Sequence, residues 1–277
     1  MLTEYYCPRW GSENVQWNKF CENVKRAGFD GVEAPVPEDP KEQILISATL
    51  KEYNLKWIGQ YYQSFEKDFE LHKANYTEHL YRLCSVQPIK INAQTGKDYF
   101  SFKQNAELFA IAEAISKETG IAISHETHRN KALFAAHTSQ QFLLQLPAIN
   151  ITADFSHWCN VAESLLDDQQ DAVDLACRRA AHIHARVGHA QSAQVIDPRL
   201  PLYKNELEAH LKWWDKIIAA HINKKKAVLT ITTEFGPAPY MVHLPFTNMP
   251  LADQWNINVF MMQLLKERYS KFTTIIL

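Results

Sequence analysis

Eight short apolar runs, each followed by a longer stretch with helical spacing, recur along the chain at intervals of roughly 30 residues, the length of one β–α repeat. The runs cover 5–7, 29–33, 57–61, 88–92, 121–126, 151–153, 182–186 and 227–234. Helices are expected over 14–27, 39–53, 65–83, 101–117, 131–146 in one or two pieces, 163–181, 205–221 and 251–269. Short strands alternating with helices predict a parallel sheet, and eight such units predict a closed (β/α)₈ TIM barrel of the α/β class. One domain is expected over 1–277, and a 46% hydrophobic content suffices for its core. A doubly wound open sheet is the competing fold. It usually carries a glycine-rich phosphate turn, and no GxGxxG or P-loop motif occurs here.

Lys plus Arg number 29 against 31 Asp plus Glu, and Lys224, Lys225 and Lys226 form the one obvious basic run. That balance argues against a nucleic-acid surface, which shows a basic stripe. Cys7, Cys21, Cys84, Cys159 and Cys177 are odd in number and contain no CxxC pair, so neither a disulfide framework nor a cysteine zinc knuckle is expected. The opening MLTEYYCPRWG lacks a basic-then-apolar leader pattern, and no run of about 18 apolar residues exists to span a membrane. A reducing, cytoplasmic location is the expectation.

In a barrel of this kind, function sits at the carboxyl ends of the strands. The strand candidates end in residues that are costly to bury: Glu33, Gln60 with Tyr61, Lys90 with Asn92 and Gln94, Glu126, Asp154, His184 and Glu234. A lone carboxylate there is ordinarily a cap or a loop charge. Consecutive strands ending in Glu126, Asp154, His184 and Glu234 instead predict a divalent metal site. Three carboxylates and one imidazole suit Mn²⁺ or Mg²⁺, with Co²⁺ and Zn²⁺ as alternatives. His182 shares the parity of His184; the latter is the expected ligand because it lies nearer the strand end. His157, three residues after Asp154, is either a substrate donor or a residue orienting Asp154. Arg186 is expected on substrate or in a local ion pair, Glu33 at the mouth, and Lys90 on substrate or beside a buried carboxylate. Trp10, Tyr61, Trp158 and Phe235 are candidate pocket walls.

The ordered segments FDGVEAP, ISHETHRN, DFSH, HIHARVGH and TTEFGP resemble the xylose-isomerase-like barrels, the sugar phosphate isomerase/epimerase superfamily, over essentially the whole chain. The resemblance implies that Glu126, Asp154, His184 and Glu234 hold the metal. It also implies that Glu126 and Glu234 flank the substrate as an acid–base pair moving a proton next to a carbonyl, while His157 and Arg186 steady substrate oxygens. The family's epimerases often carry an arginine several residues after the metal histidine. Here Ala190 stands six residues on, with Arg186 and His189 close by as the expected substrate-binding groups and Arg199 as a substitute. Gln60 and Asn92 stand where the superfamily's nucleases place extra histidines, which counts against nuclease activity. The expected partner is a small sugar, ketose or polyol; a homo-oligomer is expected by analogy alone. A metal-dependent dehydratase of a keto-polyol such as an inosose, or a non-catalytic sugar-binding barrel, remains the alternative.

Overall fold

The computed structural model describes residues 1–273; the last four residues of the expected domain lie outside the described ones. Eight parallel strands close into a barrel in chain order. They are β1 (Leu2–Pro8), β2 (Gly31–Ala34), β3 (Lys56–Tyr61), β4 (Lys90–Ala93), β5 (Ile123–Glu126), β6 (Ile151–Ala153), β7 (Ala180–His184) and β8 (Val228–Thr232). Closure comes from β1 pairing with β8, from Leu2 against Val228 to Tyr6 against Thr232. Around them lie α1 (Trp17–Ala27), α2 (Pro40–Glu52), α3 (Phe69–Ser85), α4 (Phe102–Thr119), α5 (Ala136–Gln145), α6 (Phe155–Ala162), α7 (Gln170–Arg179), α8 (Lys204–Asn223) and α9 (Gln254–Thr273). No described helix is long and apolar enough to cross a membrane. All five cysteines are free and buried.

Local chemistry sets the boundaries. Asp39 caps α2 through Lys41 N, with Pro40 in the first turn. Ser101 and Gln104 close a capping box on α4, and Gly120, at φ 74°, ends it in the left-handed conformation. Asp68 caps α3, so that helix starts at Phe69 rather than at residue 65. The expected helix over 163–181 is shortened, and a separate helix precedes it. Asp154 caps a short α6 at Ser156 N, and Glu163 and Leu166 adopt φ 48° and 60°, which no helix can run through. Only α7 remains of the expected span.

Alternation along the strands sorts the interior. Val32, Ile91, Ile123, Ile151, Ile183, Leu229 and Ile231 are buried in the apolar layer shared with the helices. The intervening residues face the lumen, and towards the carboxyl ends of β2 to β8 they are polar: Glu33, Gln60, Asn92, Ser124, Glu126, Thr152, His182, His184, Thr230 and Thr232 are all buried. A lumen of this composition must satisfy its own polar groups. It does so by contacts across the barrel, such as Thr232 Oγ1 to Glu33 Oε2 at 2.5 Å.

Candidate metal centre

The cap on α6 is also the start of the site. Because Asp154 turns β6 directly into a helix, its side chain stays at the barrel mouth, with His157 one turn later beside it. Glu126 and His184 end β5 and β7, and Glu234 stands two residues past β8. One ligand atom from each of Glu126, Asp154, His184 and Glu234 lies within 4.8 Å of all the others, and all four residues are buried. His184 Nδ1 is 2.7 Å from Glu234 Oε2 and 3.7 Å from Glu126 Oε1, yet it has no partner in hydrogen-bond geometry.

Three elements hold this arrangement from outside. Glu33 lies behind His184, its Oε1 3.0 Å from Nε2. Asn92 Nδ2 donates to Glu33 Oε1 at 2.9 Å and to Glu126 Oε2 at 3.0 Å. Gln60 Nε2 donates to Glu234 Oε1 at 3.1 Å. On the fourth side Arg186 donates from Nη2 to Asp154 Oδ2, lies 2.7 Å from His157 Nε2 and 3.5 Å from Glu234 Oε2, and reaches Ser156 Oγ from Nε at 3.2 Å.

The protonation states follow from burial and neighbours. Burial raises Glu126 to about 7, and Glu234 and Asp154 add to the rise against the opposing effect of His184. Asp154 is raised by burial, partly offset by Arg186. Burial alone would raise Glu33, but His184 and His182 hold it well below the usual carboxylate range. Burial alone would lower His184, yet Glu234, Glu33 and Glu126 lift it well above the ordinary imidazole value. His157 and His128, rings 3.8 Å apart, are held neutral by burial, with further lowering from each other's surroundings and Arg186.

A divalent ion fits this donor set. Three carboxylates and a histidine nitrogen converge on one point, Arg186 pairs with only part of their charge, and that histidine's other nitrogen is backed by a carboxylate, as in metal-bound imidazoles. Two other groups of possible ligands, Glu33 with His182 and His184 and Glu126 with His128 and His157, share members with it. Most of their nitrogens are already engaged: His182 on Thr230 and Glu33, His128 Nδ1 on Arg129 O at 2.6 Å, and His157 Nε2 on Arg186, while His157 Nδ1 has no partner.

Above the cluster opens a cleft of about 400 Å³, lined by Arg9, Trp10, Glu13, Pro35, Gln60, Tyr62, Gln94, Glu126, His128, Arg186, Glu234 and Tyr240. Trp10 and Tyr240 meet edge to face at 5.1 Å, and the Arg186 guanidinium lies 4.8 Å from the Tyr240 ring.

Five side chains expected at substrate stand elsewhere. Glu33 is beneath the cluster rather than at the mouth. Lys90 opens β4 at the amino end of the barrel, where Nζ donates to Ala181 O at 2.7 Å. Tyr61 follows the lumen-facing Gln60, so alternation turns it outward onto Tyr76 and His79 of α3. Trp158 packs behind the site, its Nε1 on Leu133 O at 2.9 Å and its ring stacked on Phe155. His189 stacks on Tyr203 at 5.9 Å. Phe235, a further candidate wall, is buried and pinned by Asn258. Tyr240, Tyr62 and Arg9 line the cleft without having been singled out. Their signal was faint: aromatic or basic residues a few positions past a strand end.

No protein-family model matches the chain, and no curated protein matches its sequence. Solved structures do match its fold. The 3-keto-D-glucoside 4-epimerase YcjR of E. coli aligns over 96% of this chain and 99% of its own, at a TM-score of 0.61 and 14% identity. The probable 3-DHS dehydratase AsbF of Bacillus anthracis, involved in petrobactin synthesis, aligns over 96% and 100%, at 0.59 and 17%. Endonuclease IV from Thermus thermophilus aligns over 98% and 100%, at 0.60 and 10%. Xylose isomerase domain proteins share the fold as well. The likeness is one of fold, a closed (β/α)₈ barrel, and three different chemistries on it show why the reaction must be argued from the site.

Proposed function

We propose that this protein is a metal-dependent isomerase or epimerase of a small ketose or polyol, with Glu126 and Glu234 as its acid–base pair. The observation that supports the reading is the convergence of Glu126, Asp154, His184 and Glu234 on one point at the floor of an aromatic-walled cleft. A divalent ion held by these four would polarise a substrate carbonyl and offset the negative charge that develops on its oxygen. Glu126 and Glu234 come from strands on different sides of that point, and both line the cleft. One carboxylate would take the proton from the carbon beside the carbonyl, and the other would deliver one to the opposite face. Asn92 and Gln60 fix the two carboxylates by donating to one oxygen of each, Glu126 Oε2 and Glu234 Oε1. Arg186 and His157 would orient substrate oxygens, and Trp10 and Tyr240 would cover the apolar face of the sugar and exclude water.

The test is incubation with a panel of C4–C6 ketoses in D₂O with added Mn²⁺ or Co²⁺, read by mass spectrometry and NMR. Deuterium at the carbon next to the carbonyl is expected, and Glu234→Gln should abolish it. Loss of the mass of water from the product would instead favour the dehydratase reading. Sugar binding without exchange or product would favour a non-catalytic barrel.

A further inference from the structure

The barrel wall is incomplete at its amino end between β5 and β6. β6 is three residues long, and the two strands pair only through His125 with Ile151 and Glu126 with Thr152. Below that ladder lies a cavity of about 470 Å³, walled by Phe109 of α4, Ile123 of β5, and Leu146 and Ile149 of the segment leading into β6. Lys90 and Ala181 form its inner end. Lys90 opens β4 with the same parity as the lumen-facing Asn92, and its Nζ reaches Ala181 O of β7. A side chain that starts in β4 and ends on β7 passes beneath β5 and β6, where the wall stands open.

Lys90 is incompletely matched by the protein around it. An ammonium has three protons to donate. One goes to Ala181 O; among the described residues the other two have no acceptor, and no carboxylate stands within ion-pair distance. Glu33 and Glu4 act on it only from farther away. The other titratable groups of the lining leave that charge unopposed. His125 is kept neutral by burial, its Nδ1 2.7 Å from Thr95 Oγ1, and Glu113 and Lys117, toward the outside, pair with each other. An apolar chamber with one unmatched cation at its inner end is complementary to a molecule that has an apolar body and a single negative charge.

We propose that this cavity binds a small monocarboxylic acid, whose carboxylate pairs with Lys90 Nζ and whose aliphatic or aromatic body lies between Phe109, Ile123, Leu146 and Ile149. A carboxylate suits the inner end better than a phosphate does. The two remaining N–H groups match the two oxygens of one negative charge, whereas a phosphate dianion brings a second charge with no second cation to meet it. The site lies at the opposite end of the barrel from Glu126, Asp154, His184 and Glu234, so the inference depends neither on the metal nor on the reaction.

Isothermal titration calorimetry of the full chain at pH 7 tests it, with benzoate and hexanoate as probes and benzamide and hexanamide as their uncharged counterparts. One acid per chain should bind, with a Kd of about 1 mM or tighter, the range of well-seated fragments of this size. Binding should be the same with Mn²⁺ as with EDTA, which separates this site from capture of a carboxylate by the metal centre. The amides should bind about 10- to 100-fold more weakly, the equivalent of one charged hydrogen bond. Lys90→Met should lose the same factor for the acids, and Lys90→Arg should keep the preference for them. The comparison of acid with amide on the wild type needs no variant, so it decides the matter even where Lys90→Met fails to fold. No binding of either acid at ~10 mM, equal binding of acid and amide, or undiminished binding by Lys90→Met overturns the proposal. So does binding that requires Mn²⁺, which would assign the acid to the metal.

Discussion

Glu33 and His184 come from β2 and β7, three strands apart around the barrel, and meet in its lumen, with Oε1 3.0 Å and Oε2 3.1 Å from Nε2. Since His184 and His182 keep Glu33 charged despite its burial, it accepts from Nε2–H, so the proton that His184 must shed to bind a cation is the one on Nδ1, which faces Glu126 and Glu234. Partners of this kind are typically worth 10- to 100-fold in metal affinity. Glu33→Gln should therefore weaken Mn²⁺ or Co²⁺ binding by about that factor while the barrel stays folded, as isothermal titration calorimetry would read. His182→Ala removes a residue bonded to Thr230 and Glu33 and should cost mainly stability. If calorimetry finds wild-type affinity for Glu33→Gln, Glu33 has no part in orienting the ligand.

Arg186 and Asp154 make a second separable pair. The guanidinium neutralises part of the carboxylate cluster, so its removal makes the cluster more negative. Arg186→Met should thus bind a divalent cation at least as well as the wild type. The same change deletes the fork that would hold substrate oxygens, and kcat/KM should fall by roughly 10- to 100-fold, the equivalent of one or two charged hydrogen bonds. Asp154→Asn should do the opposite and lose metal first. Equal metal loss in both variants would show that Arg186 is structural support for the cluster rather than a substrate group.

These contrasts also mark where the sequence was readable. Glu126, Asp154, His184 and Glu234 each end an apolar run, so the cost of burying a charge pointed to all four before any coordinates. Alternation likewise assigns His184 and Gln60 to the lumen and, applied to the next residue, turns Tyr61 away from it. Depth was not legible. Barrel strands are staggered, so Glu33 at the end of β2 lies level with His182 and His184, below the mouth, and Lys90 lies lower still. Asp154 was legible as a candidate ligand but not as the cap that starts a separate short helix, because one side chain can serve both purposes. Tyr240 lies in a loop with no period, where no pattern distinguishes a pocket wall from a surface ring.

Gly236 sets the position of the aromatic wall. A Cβ there would lie 2.1 Å from Trp10 Cη2. The glycine itself is fixed, since Gln194 accepts from Gly236 N at 2.7 Å and donates to its carbonyl at 3.1 Å. In Gly236→Ala it is Trp10 that must yield, away from Tyr240 and Arg186. Overpacking of this kind costs about 1–3 kcal/mol. A lower Tm, a shifted tryptophan emission and a raised KM are expected, with metal affinity unaltered because no ligand moves. An unchanged KM would mean that Trp10 does not bound the substrate.

Lys90 gives a pH dependence remote from the chemistry. Burial lowers its ammonium to about 8, with Glu33 and Glu4 opposing the shift. Below that pH the folded and unfolded chains both carry the proton, and the folded one bears the cost of burying a charge. Between about 8 and the usual lysine value near 10.4, the unfolded chain binds more protons, so this residue's contribution to stability rises with pH. Lys90→Met removes the buried charge but also the hydrogen bond to Ala181 O. After allowing about 1 kcal/mol for that bond, the variant should be more stable than the wild type at pH 7 by about 1 kcal/mol, or 2–4 °C in Tm. The margin should vanish and then reverse as the pH approaches 10, where the wild-type amine is neutral and keeps its hydrogen bond. Thermal unfolding of both proteins across that range checks the sign; a margin independent of pH would mean that Lys90 titrates as a surface lysine.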